Sequence, residues 1–151
     1  MKNYFFILTV CLVFTACKNK ADQPATDEDS LPAAENYLWQ STLNDSSGKI
    51  EMIKVPSNDS LSAQSVIDFL NKDNTHIHLD LVKISADTIF LKIPDAMYLT
   101  QQMGSTGPDL YLSEAVYNLT EIPGIHYANF NFEEGDHASP GTYTRDTFKN
   151  E

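Results

Sequence analysis

The 151 residues carry 21 acidic side chains against 10 Lys and Arg, a net charge of −11, with 42% apolar and 11% aromatic residues. That apolar content excludes an intrinsically disordered chain, and the length fits one domain with short appendages. The acidity excludes a nucleic-acid binder, which needs a basic stripe against phosphates, and disfavours electrostatic docking onto anionic lipid. Both cysteines, Cys11 and Cys17, lie in the first 17 residues, so the body has no disulfide, cysteine zinc site or thiol nucleophile.

Residues 1–16 read as a signal peptide. Lys2 supplies the positive flank, and Tyr4 to Phe14 form an apolar run of signal-peptide length. That run is short of the roughly 20 residues a spanning helix needs. It ends in Phe14-Thr15-Ala16-Cys17, which resembles the lipobox of bacterial lipoproteins, with Phe14 where Leu or Val is usual. The resemblance implies cleavage before Cys17, acylation (palmitate) of that residue, and anchorage to a bacterial membrane in the cell envelope. Several acyl chains anchor firmly, each buried methylene contributing about 0.8 kcal/mol. Lys18-Asn19-Lys20 is not an acidic surface-export run, which points to the periplasmic side.

Residues 17–34 then form the acylated Cys and an acidic tether with Pro24 and Pro32. As a coil it reaches roughly 20–25 Å. Asp29-Ser30-Leu31 and Asp59-Ser60-Leu61 resemble a short O-glycosylation acceptor of some bacteria.

The folded part is expected over 35–135. Tyr37 to Leu43 and Lys49 to Val55, separated by Asn44-Asp45-Ser46-Ser47-Gly48, read as a hairpin. Ser60 is a candidate cap for a helix over 61–71, with Leu61, Val66, Phe69 and Leu70 on its apolar face. His76 to Ile84 alternates, with Ile77, Leu79 and Leu81 on one side. A turn at Ser85-Ala86-Asp87 leads into Thr88 to Ile93, with Ile89, Leu91 and Ile93 inward. Residues 96–107 suit a loop or a short helical turn. After Pro108, Leu112, Ala115, Val116 and Leu119 mark a core-facing helix that Pro123-Gly124 ends. Ile125 to Phe132 is the last strand, with Ala128, Phe130 and Phe132 inward. The order β-β-α-β-β-α-β predicts an α/β (α+β) two-layer sandwich: a mixed sheet of about five strands with two helices on one face. Residues 136–151 read as a polar C-terminal tail in which Tyr143 and Phe148 are apolar enough to dock back. Gly135 to Gly141 reads as two turns, with a binding loop as the alternative.

The stretch Ala115-Val116-Tyr117-Asn118-Leu119-Thr120-Glu121-Ile122-Pro123-Gly124-Ile125 resembles the GerMN domain of sporulation and germination lipoproteins. In that family a Val-Tyr-Thr-Leu-Thr-Glu helix ends at Pro-Gly and feeds a closing strand that finishes near a Gly, here Gly135. The hairpin at Ser85-Ala86-Asp87-Thr88 matches the turn before the family's central strand. Asn118 stands where Thr is more usual, and Ala128 where Val is. The resemblance implies a non-catalytic envelope module, without a cofactor, that binds peptidoglycan or an envelope protein. The fold is also similar to a ring-building motif that self-associates.

Among residues able to do chemistry, His76 and His78 are two apart and, with Asp80, could seat a metal, although a solvated face is the plainer reading and no metal is assigned. His126 with Glu133, Glu134, Asp136 and His137 could form a His–carboxylate base for hydrolysis, the alternative to a binding module. No nucleophile motif accompanies them, so no catalytic residue is assigned. Tyr37 and Trp39 share a strand face and are read as core cover. Tyr127, Asn129 and Asn131 share the face opposite Phe130, and offer an aromatic ring and two amides to hydroxyl-rich or peptide ligands. The expected ligand-binding set is therefore Tyr127, Asn129, Asn131, His126, Asp136 and His137.

Overall fold

The computed structural model describes residues 36–149, so the signal peptide, Cys17, the tether and Asp29-Ser30-Leu31 lie outside the described residues. No helix among the described residues is long and apolar enough to cross a membrane.

The chain opens with an antiparallel hairpin, β1 (Asn36–Asn44) and β2 (Lys49–Ser57). Its turn closes where the Asn44 side-chain oxygen accepts from the Ser46 and Ser47 amides, and Gly48 takes φ 68°. Helix α1 (Ala63–Asp73) follows, starting two residues later than the sequence suggests. Ser62 rather than Ser60 is its cap, accepting from the Ser65 amide at 3.2 Å. Val66, Ile67 and Leu70 are its buried residues.

Strands β3 (Asp80–Ser85) and β4 (Thr88–Lys92) then pair antiparallel around Ala86-Asp87, with Ala86 at φ 53°. Ile77 and Leu79 are buried as expected, but residues 76–79 precede the regular strand. Leu81, expected inward, is exposed, because β3 forms the sheet edge and a bulge interrupts its register between Leu81 and Lys83. A π-helical turn, Tyr98–Gln102, occupies the ambiguous segment. Helix α2 (Gly107–Leu119) buries Leu112, Ala115, Val116 and Leu119 together. Strand β5 (Tyr127–Asn131) returns parallel to β4 and buries Ala128 and Phe130.

The structure is thus α+β, with helices against a mixed sheet, but six strands lie in two sheets rather than about five in one. The four-stranded sheet has the order β3-β4-β5-β6, where β6 (Gly141–Tyr143) comes from the segment read as a tail. Folding therefore runs past Gly135. Tyr143 stacks on Phe148 at 5.9 Å and meets the edge of Phe130, and Phe148 is buried. A 3-10 turn, Arg145–Phe148, follows β6 and packs against α2.

The hairpin is not part of that sheet. Sequence alternation identifies a strand but not the surface it covers, and β1 packs on α2. Asn118 is fully buried there. Its carboxamide accepts from the Trp39 amide at 2.7 Å and donates to the Trp39 carbonyl at 2.8 Å, as a neighbouring strand would. One turn earlier, Glu114 accepts from the Ser41 amide at 2.8 Å and its hydroxyl at 3.1 Å. Burial pushes the Glu114 carboxyl above its ordinary range, and the Ser41 hydrogen bonds hold it part of the way back.

Candidate binding face and basin

The alternation that buries Ile89, Leu91, Ala128 and Phe130 turns the intervening residues to the other face of the sheet. Strand register then sets them side by side. Lys83, Phe90, Asn129 and Thr142 form one row across all four strands; Ser85, Thr88 and Tyr127 form a second, and Asp80, Lys92 and Asn131 a third. Tyr127, Lys92, Asn131 and Thr142 are exposed. Lys83 lies over the Phe90 ring at 4.7 Å, and Asn129 donates to the Thr142 hydroxyl at 2.8 Å.

Tyr127 also borders a basin of about 470 Å³ lined by Thr120, His126, Tyr127, Thr144, Arg145, Asp146 and Lys149. The Asp87 carbonyl fixes its floor by accepting from the His126 amide at 2.8 Å and the Tyr127 amide at 3.1 Å. Arg145 fixes its wall. Its guanidinium donates to the Thr120 hydroxyl at 2.7 Å, the Tyr117 carbonyl at 2.9 Å and Glu121 at 2.5 Å. A cation there also suits the negative end of the α2 dipole. Arg145 lies over the Trp39 and Tyr117 rings, and Trp39 Nε1 donates to Glu121 at 3.0 Å. Burial pushes Glu121 up, but the hydrogen bonds from Trp39 and Arg145 and the charges of Arg145 and Lys54 outweigh it, holding the carboxyl below its ordinary value. Lys149 pairs with Asp146.

The structure brings some expected residues together and separates others. His126 and Tyr127 meet in the basin, and Tyr127, Asn129 and Asn131 share the open face. Asp136 and His137 follow β5, whereas His126 precedes it. Five strand residues put roughly 16 Å between those positions, so they form no common site. Glu133 and Glu134 border a separate cleft beside the π turn. His137 donates its amide to the Thr100 carbonyl at 3.1 Å, and Ser139 donates its hydroxyl to Glu134 at 2.7 Å, so Gly135 to Gly141 includes turns that bring the chain back to β6. His76 stacks on Tyr98 at 4.6 Å while His78 meets Asp80 at 3.3 Å. Among the described residues no group of three His, Cys, Asp or Glu side chains is placed to hold a metal ion. Trp39, half-buried between Tyr117, Lys54 and Arg145, covers the hairpin–helix junction.

Sequence reasoning missed Thr144, Arg145, Asp146 and Lys149, because residues 144–149 carry no apolar period. The available signal was local: Thr144 and Thr147 form a capping box, a helix-start signature. Comparison with family models, curated proteins and solved structures finds no match to this chain.

Proposed function

We propose that the chain is a bacterial lipoprotein, acylated on Cys17 and anchored in the cell envelope. Its GerMN-like module binds cell-wall material without catalysing a reaction. The observation that supports this reading is Tyr127, an exposed ring between a basin and a polar sheet face carrying Asn129, Asn131 and Thr142. A flat ring stacks on the apolar face of a sugar, while amides and hydroxyls serve its hydroxyl groups. The separation of His126 from Asp136 and His137 gives hydrolysis by that cluster less support than binding.

The test is retention of the full chain, in detergent, on insoluble peptidoglycan sacculi, beside a control protein of equal charge. Wild type is expected to sediment with the sacculi, and Tyr127→Ala to weaken retention about tenfold, in line with aromatic contacts at binding sites. The melting temperature should stay unchanged, because the ring is exposed. Equal retention of the variant rejects this face. Loss of wild-type retention rejects wall binding and directs the search to a protein partner.

A further inference from the structure

Strand β3 is one edge of the four-stranded sheet, and all six of its residues are exposed. Leu81, Val82 and Ile84 among them are large and aliphatic. Other strand edges among the described residues are blunted. β6 has three residues, the outer edge of β1 is taken by Asn118 and Glu114, and β2 carries Lys49, Glu51, Lys54 and Pro56. β3 is left with one aspartate, one lysine and a bulge.

Such an edge turns unpaired amide and carbonyl groups outward and templates another strand. The pattern along β3 selects the occupant. Leu81 pairs with Leu91 and Ile84 with Ile89, both buried, so the two aliphatic side chains lie on the core side of the sheet and are nevertheless exposed. Asp80 and Lys83 pair with Lys92 and Phe90 and lie on the open side. The bulge between Leu81 and Lys83 is what puts residues three apart on one face. Two such strands, antiparallel about a two-fold axis between Val82 and Lys83, set Leu81 opposite the partner's Ile84. On the other face Asp80 falls diagonally to the partner's Lys83, a separation charged side chains span. The strand is therefore self-complementary in both shape and charge.

We propose that β3 is a homodimer interface, at which two copies pair edge to edge into one continuous eight-stranded sheet. The contact is isologous and closed. It leaves Tyr127, two strands inward, available to a ligand, and it stands independently of what that ligand is.

The test measures the mass of the full chain in detergent, corrected for bound detergent, across concentration. A dimer is expected at micromolar chain. Ile84→Lys should weaken it about tenfold or more, with melting unchanged at dilutions where both proteins are monomeric, since the position is exposed in the single chain. Asp80→Lys alone should weaken it, and adding Lys83→Asp to the same chain should restore it, a rescue that general surface charge would not give. The amides of β3 that point away from β4 should exchange slowly in the dimer and fast in Ile84→Lys, while those bonded to β4 stay protected in both. A wild-type monomer at about 100 µM overturns the proposal. So does a dimer indifferent to Ile84→Lys, or slow exchange of the outward β3 amides in monomeric wild type, which would assign the edge to another part of the same chain.

Discussion

Asn118→Ala asks how firmly the hairpin is held. The substitution removes a fully buried carboxamide and leaves the Trp39 amide and carbonyl without the partners now at 2.7 and 2.8 Å. Each polar group orphaned in a buried site costs about 1–3 kcal/mol. Trp39 is only half-buried, so water recovers part of this, and a net loss of roughly 2–4 kcal/mol is expected. That is a large share of the 5–15 kcal/mol typical of a domain, and corresponds to a fall in melting temperature of about 10 °C. The assay is urea unfolding of the full chain followed by tryptophan emission, which Trp39 alone provides, with amide exchange at residue 39 as a second readout. Emission should shift to the red at lower urea than in wild type, and the Trp39 amide should lose protection. Asn118→Thr should recover little, because one hydroxyl cannot replace both the accepting oxygen and the two donors of the carboxamide. A loss below about 0.5 kcal/mol with the Trp39 amide still protected would refute the reasoning, since surface substitutions without partners fall in that range.

Gly135→Ala should destabilise by about 1–3 kcal/mol, because an added methyl would stand 2.6 Å from Thr100 Cβ and 3.2 Å from its carbonyl oxygen, in the π turn; thermal melts check this, and an unchanged melting temperature would show that the turn yields freely. Glu121 gives a pH signature. Its folded value lies below the ordinary 4.5, so its contribution is present above 4.5 and is lost as the pH falls through the folded value. Stability measured across that interval should decline in wild type and decline less steeply in Glu121→Gln; parallel curves would place the acid sensitivity elsewhere.

Periodicity made the core elements legible. Leu112, Ala115, Val116 and Leu119 mark one face of α2 at i, i+3, i+4 and i+7, and all four are buried. The inward sets of β4 and β5 were equally plain. What periodicity does not carry is the identity of the neighbour. Tyr37 and Trp39 describe a strand whose partner is a set of polar side chains, Glu114 and Asn118 on α2 and Glu121 just after it, invisible to an apolar count. β6 is three residues long, too short for an alternation to register, and it follows a run rich in turn residues. Leu81 obeys its period and still meets solvent, because it lies on the edge strand at the point where a bulge breaks the register. Half of the site was readable for the same reasons. Tyr127 and Asn131 follow from strand parity, whereas Arg145 reaches the basin through contacts with Thr120, Tyr117 and Glu121 that only the folded chain assembles.

The clasp between β1 and α2 sets an order of events in folding. Trp39 and Ser41 emerge early in synthesis, but their partners Asn118 and Glu114 lie 79 and 73 residues downstream. Closing that span costs roughly 2–3 kcal/mol more chain entropy than closing a short hairpin turn. The hairpin can therefore form locally and must then wait, one strand edge open, until α2 has been made and docked. Contacts of such sequence separation slow the search for the native state. During that interval the nascent chain offers an unpaired edge to any strand nearby, so conditions that delay α2 should favour misassembly through β1 rather than through the core.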